Sequence, residues 1–284
     1  MSQDLKPFER LLAKEDSQID LARACLLVAQ DVYPDLPVED YLARIDAMGE
    51  GVRAALGPRA GVEARIVALN EHLFRELGYW GNTEAYYDPR NSYLNEVIER
   101  RTGIPITLSV LYMEVASRVG LECEGVSFPG HFLVRLKVHG GVLVLDPFSG
   151  GAPQSESELR ERLQRVIPEG AAADVPVAEL PLDQFLEPAS KRQILARLLR
   201  NLKAIYRDAD QPERLLEVLN RMLVVQPGAP AELRDRGLVY QRLECWRPAL
   251  QDLTDYLQRD PEAADVAEVR TSLVELAARC ARLN

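Results

Sequence analysis

The chain has 284 residues, 47% of them hydrophobic and 27% charged, with a formal net charge of −10, enough for one large domain or two ordinary ones with a proper core. The acidic balance argues against non-specific binding to nucleic acid or to anionic membranes. No run approaches the ~18 apolar residues of a membrane span, and the opening MSQDLKPFER has no apolar stretch behind a basic one, so a cytoplasmic protein is expected.

Residues 5–60 read as helical. Ile19, Leu21, Ala22, Cys25, Leu26 and Ala29 form a stripe near the 3.6-residue period. Pro34 and Pro37 break it, since proline disfavours helix at itself and at the residue before it. A second helix is predicted from Val38, with Tyr41, Leu42, Ile45 and Met48 on one face, and a third over 62–77, carrying Ile66, Leu69, His72, Leu73 and Phe74. Residues 78–92 are rich in aromatics, Asn, Asp, Gly and Pro, which predicts a loop packed onto its domain. Ser92 is placed to cap a short helix over 93–101.

The strongest helix signal spans 103–120. Pro105 suits the first turn and Gly120 the end, and the residues between are apolar nearly all round, as in a buried helix. Strands are predicted over 122–128, 131–138 and 142–145, the last two joined by a Gly-bounded hairpin turn. The fold class is therefore α+β: a helical part at 1–60, a core of one buried helix and an antiparallel sheet at 61–188, and an all-helical part at 189–284. A short amphipathic helix at 156–166 and a connector reaching 190 precede the last part.

From Lys191 the chain repeats itself. Ile205, Tyr206, Leu215, Leu219 and Pro227 recur as Val239, Tyr240, Ala249, Leu253 and Pro261, each shifted by about 34 residues, the tetratricopeptide period. Lys203 and Leu215 depart from that pattern, which prefers small residues there. A last helix at 265–282 would cover the end of the stack.

The four cysteines, Cys25, Cys123, Cys245 and Cys280, are scattered, and with three histidines they form no cluster of metal-ligand spacing. No metal and no cofactor is expected.

Six short runs carry a resemblance. They are Leu69-Asn-x-x-Leu-Phe74, Gly81-Asn82, Tyr87-Asp-Pro-Arg-Asn-Ser92, Gly103-Ile-Pro-Ile-Thr-Leu-Ser109, Phe128-Pro-Gly-His-Phe132 and Asp146-Pro-Phe148. In this order they resemble the bacterial SirB family of the transglutaminase-like (papain-like) superfamily, which often carries tetratricopeptide repeats. The resemblance covers roughly residues 20–160 and the repeats.

It implies a Cys at the start of the buried helix, a His on a following strand and an Asp on the next. A helix N-terminus favours a thiolate, the His serves as base and then acid, and the Asp orients the imidazole. Here the His is His131 and the Asp is Asp146. The superfamily's Gly-x-Cys opening, laid on Gly103, puts Pro105 at the nucleophile position; Arg118 and Gly120 match the far end. Thr107 or Ser109 would need a well-placed base to substitute, and Cys123 lies on a strand without a helix dipole.

Two functions compete. One is a non-catalytic scaffold that holds a protein or peptide through its repeats. The other is an enzyme or small-ligand binder that uses a His131/Asp146 pocket, covered by a loop whose Asn82, Asn91 and Ser92, with Thr107, line the site. The scaffold is preferred, because the nucleophile is missing and repeat grooves hold extended peptides. Direct transcriptional regulation finds no helix-turn-helix cue.

Overall fold

The computed structural model describes residues 4–167 and 180–282, so part of the connector expected up to 190 lies outside the described residues. The chain folds as two compact units, residues 14–198 and residues 1–13 with 199–284.

The larger unit is built around helix α6 (Pro105–Arg118). Pro105 opens it, where a missing N–H costs nothing, and Gly120 follows its end at φ +73. Residues 105–113 are all buried. Around α6 pack α2 (Leu21–Ala29), α3 (Val38–Ala54), α4 (Val62–Asn70) and α5 (Leu94–Arg100). α2 is capped by Asp20, whose carboxylate accepts from Arg23 N at 2.9 Å. The third predicted helix runs to 70 as an α-helix and then widens into a π-type turn over Glu71–Glu76. A two-stranded parallel ladder joins β1 (Trp80–Gly81) to β2 (Thr102–Gly103), tying the aromatic loop to the approach of α6.

The main sheet has the order β3-β4-β5-β6, all antiparallel, with β3 Cys123–Val126, β4 Leu133–Val138, β5 Gly141–Asp146 and β6 Ala152–Pro153. The β4–β5 register pairs Val134 with Leu145 and Val138 with Gly141, closed by a turn in which Gly140 takes φ +93. Helix α7 (Glu156–Val166), opened by a capping box between Ser155 and Glu158, packs Leu159 and Leu163 against Val126, Phe128, Leu133 and Val144.

Two sequence expectations change. His131 does not lie on the strand: its N–H donates to Phe128 O at 3.1 Å, closing a turn with Gly130 at φ +67, and β4 starts at Leu133. Ser92 does not cap α5. The N-cap is Tyr93, and Ser92 ends a 3₁₀ turn, Pro89–Ser92, in which its side chain is buried.

In the smaller unit the repeat is visible in the backbone. Helices α9 (Pro212–Val225) and α11 (Trp246–Arg259) each follow a turn residue with positive φ, Asp210 at 56° and Glu244 at 58°. Gln211 N donates to Tyr206 O, and Cys245 N to Tyr240 O, each at 2.9 Å. The paired tyrosines thus close the same turn twice, between α8 (Lys191–Asp208) and α9 and between α10 (Pro230–Arg242) and α11. Helix α12 (Val266–Ala281) packs on α11, with Val269 and Leu276 joining Leu233, Leu253 and Tyr256. Helix α1 (Lys6–Leu12) belongs to this unit and packs on α9.

Candidate active site

Asp146 ends β5 and starts the 3₁₀ turn Pro147–Ser149. Its carboxylate is fully buried and receives four donors. Oδ1 faces His131 Nε2 at 2.9 Å and Phe148 N at 3.1 Å, while Oδ2 accepts from Ser149 Oγ at 3.0 Å and Arg162 Nη2 at 2.8 Å. Burial alone would raise its pKa; the His131 hydrogen bond and charge, Arg162 and Ser149 outweigh that and hold it below the ordinary carboxylate value. An ionised carboxylate only accepts, so His131 presents Nε2–H to it. The other ring nitrogen, Nδ1, makes no hydrogen bond to the described residues, and the side chain is 11% exposed.

His131 is held in two further ways, one at its ring and one at its backbone. Phe148 meets it edge-on, with ring centroids 5.8 Å apart. Arg197 Nη2 donates to His131 O at 2.6 Å and its Nη1 to Phe128 O at 3.1 Å, clamping the turn that carries the histidine.

The loop residues form a second network. Asn82 Nδ2 donates to Asn91 Oδ1 at 3.1 Å, and Asn82 Oδ1 accepts from Ala85 N at 2.9 Å. Asn91 Nδ2 donates to Ala85 O at 2.7 Å. Thr107 Oγ1 donates to Asn91 O at 2.7 Å and accepts from Ile104 N at 3.2 Å, so one hydroxyl caps α6 and anchors the loop. Ser92 is buried, but its Oγ has no hydrogen bond among the described residues, so it takes no part in this network. Among the described residues packing, rather than a hydrogen bond, links the two networks. A Cβ on Gly81 would lie 2.6 Å from the Phe148 ring, so the loop rests on the residue that flanks His131.

The start of α6 carries no cysteine. Thr107 is engaged as described, and Ser109 Oγ, also buried, has no partner among the described residues; neither is hydrogen-bonded to His131. Burial pushes the Cys123 thiol up to about 12, which keeps it protonated at neutral pH. Among the described residues no group of three or more His, Cys, Asp or Glu side chains could hold a metal ion, and no helix is long and apolar enough to cross a membrane.

Sequence reasoning finds the His131/Asp146 pair but misses Ser149, Arg162 and Arg197. Ser149 carries a local signal, an Asp-Pro-x-Ser turn with a hydroxyl three residues on. Arg162 and Arg197 reach the site from α7 and α8, and nothing local marks them among the other arginines of those helices.

A family model described as "Transglutaminase-like superfamily" matches residues 39–200, and one described as "Tetratricopeptide repeat" matches residues 202–273. A "UPF0162 protein" of Xylella fastidiosa (strain Temecula1) is 44% identical over 95% of this chain and 94% of its own length. "Protein SirB1" of Salmonella typhimurium is 30% identical, over 87% of this chain and 89% of its own. "UPF0162 protein YchA" of Escherichia coli K12 is 25% identical, over 93% and 95%. The six motifs, the buried helix followed by an antiparallel sheet and the turn-for-turn helical repeat agree with these matches, and the chain belongs to the SirB1/UPF0162 family of the transglutaminase-like superfamily, with tetratricopeptide repeats.

Proposed function

We propose that the protein is a non-catalytic member of its superfamily, a regulatory scaffold that holds a protein or peptide partner through its repeats. The observation that supports this reading is Pro105 at the first position of α6, where the family resemblance implies the superfamily's nucleophilic cysteine would stand. The states of the neighbouring thiol and hydroxyls support the same reading. Cys123 is a protonated strand thiol, Thr107 is consumed in capping, and Ser109 Oγ has no hydrogen-bond partner among the described residues. Repeats of this kind generally mediate protein–protein contacts, so the binding function falls to residues 202–273.

One observation favours a second reading. His131 is oriented by an ionised buried carboxylate through one nitrogen and keeps the other unbonded to the described residues, as an acid/base or ligand-holding imidazole would. In that reading the Asn82–Asn91–Thr107 network holds the loop over the pocket, and the ligand is peptide-like.

The two separate on a His131→Ala variant. A scaffold keeps its partner and shows no turnover that the substitution abolishes. Release of ammonia or of an acyl product from glutamine-containing peptides by the wild-type chain, lost in His131→Ala, would overturn the scaffold.

A further inference from the structure

The first helix of the chain is a guest on the repeat unit. Helix α1 has seven residues, too short to hold itself as a helix in water. It is joined to the rest of its unit only through residues 14–198, which form the other unit. Its place is therefore kept by non-covalent contact. Phe8, Leu11 and Leu12, spaced i, i+3 and i+4, are 0%, 6% and 3% exposed. The Arg221 guanidinium of α9 lies 4.8 Å from the centroid of the Phe8 ring and is itself 2% exposed. Asp4 Oδ1, two residues ahead of the helix, accepts from Lys6 N at 3.0 Å, and Pro7 lies in the first turn. Lys6, Glu9 and Arg10 are left exposed. This is the pattern of an amphipathic helix docked by one face, with three buried apolar side chains and an aromatic under a cation.

We propose that the α9 surface under α1 is a peptide-recognition site, filled in cis by the chain's own first helix, and that it takes in trans a partner helix with the pattern aromatic-x-x-Leu-Leu. The cis helix then competes with the partner through its high effective concentration and sets the threshold for binding. The inference rests on the reading of the repeats as the partner-binding part and assigns them one surface and one ligand pattern.

The test uses the full chain and a fluorescent peptide of residues 1–13. A full-length Phe8→Ala chain, whose own helix lets go, should bind the peptide at least tenfold more tightly than the wild-type chain. A peptide carrying Phe8→Ala should bind neither. Hydrogen exchange on the wild-type chain gives a measurement that does not depend on the variant folding: α1 amides should exchange faster than those of α9, and excess peptide should accelerate α1 alone. A folded Phe8→Ala chain that ignores the peptide, or α1 amides that exchange only with those of α9, would overturn the proposal. So would wild-type dimers that vanish in Phe8→Ala, which assign the surface to a second copy. If the peptide fails while the repeats still hold a partner, this inference falls and the scaffold reading stands.

Discussion

Arg197 donates to the carbonyl oxygen of His131 over 2.6 Å, and so an arginine outside the sheet fixes the backbone of the histidine that lies next to it. The same side chain reaches Phe128 O, and its guanidinium carbon sits 5.6 Å from the centroid of the Phe132 ring. Arg197→Ala should take the guanidinium from His131 O, leave Phe128 O with only the His131 amide, and cost about 1–3 kcal/mol. The specific readout is the His131 imidazole resonance, which should broaden as the turn gains freedom. An unchanged line together with unchanged stability would show that the clamp is idle.

The Asp146 carboxylate gives a pH dependence with a definite sign. Its folded pKa is held below the unfolded value, so its contribution is fully present above the unfolded pKa and is lost as pH falls through the folded one. Asp146→Asn should therefore destabilise the larger unit near neutrality, by about 2–4 kcal/mol, because Arg162 loses its charge partner. The gap between wild type and variant should narrow below about pH 4. Urea unfolding from acid to neutral pH checks this, and a gap that stays constant with pH would remove the ionised carboxylate from the account.

Gly81 admits no side chain. Its Cβ would sit 2.6 Å from the Phe148 ring, so Gly81→Ala should cost about 1–3 kcal/mol by displacing a ring that packs against His131. Combining Gly81→Ala with Phe148→Leu should recover part of the loss, a coupling that a double-mutant cycle reads directly.

Thr107 is a capping hydroxyl in the structure, and the test is which substitution restores it. Thr107→Val leaves Ile104 N and Asn91 O without their partner and should cost about 1–2 kcal/mol. Thr107→Ser should restore most of that. Thermal unfolding of the two variants side by side decides the matter; equal melting temperatures would show that the hydroxyl contributes nothing.

In the repeat unit Arg236 grips Asp252 with two bonds of 2.7 and 2.8 Å and adds Asn220 Oδ1 at 3.1 Å, while Asp252 is nearly buried. Removing one partner strands the other, so Asp252→Leu and Arg236→Met should each cost about 2–4 kcal/mol. The double variant should cost less than their sum, as chemical denaturation would show.

The sequence discloses what periodicity and punctuation control. Pro105 and Gly120 bound α6, the Gly140–Gly141 turn sets the hairpin, and tyrosines one repeat apart mark the helical pairs. Where geometry depends on residues far apart in the chain, the sequence is silent. The four donors on Asp146 include one from α7, and the clamp on His131 comes from α8; no local pattern singles out Arg162 or Arg197. The expectation for Ser92 fails because a cap is decided by backbone conformation, and the 3₁₀ turn before α5 passes that role to Tyr93. The attachment of α1 to the repeats is hidden for the same reason as the arginines, since the whole of the larger unit lies between Phe8 and Arg221 in the chain.

The four-donor carboxylate has a consequence for which substitutions the site can absorb. Only one of the donors to Asp146 comes from the imidazole; a backbone amide, a hydroxyl and a guanidinium supply the rest. A chain that lost its histidine would still need its aspartate to hold the turn after β5 against α7. The aspartate is thus a tenant of the architecture, and its place would be kept whether or not the imidazole beside it were there.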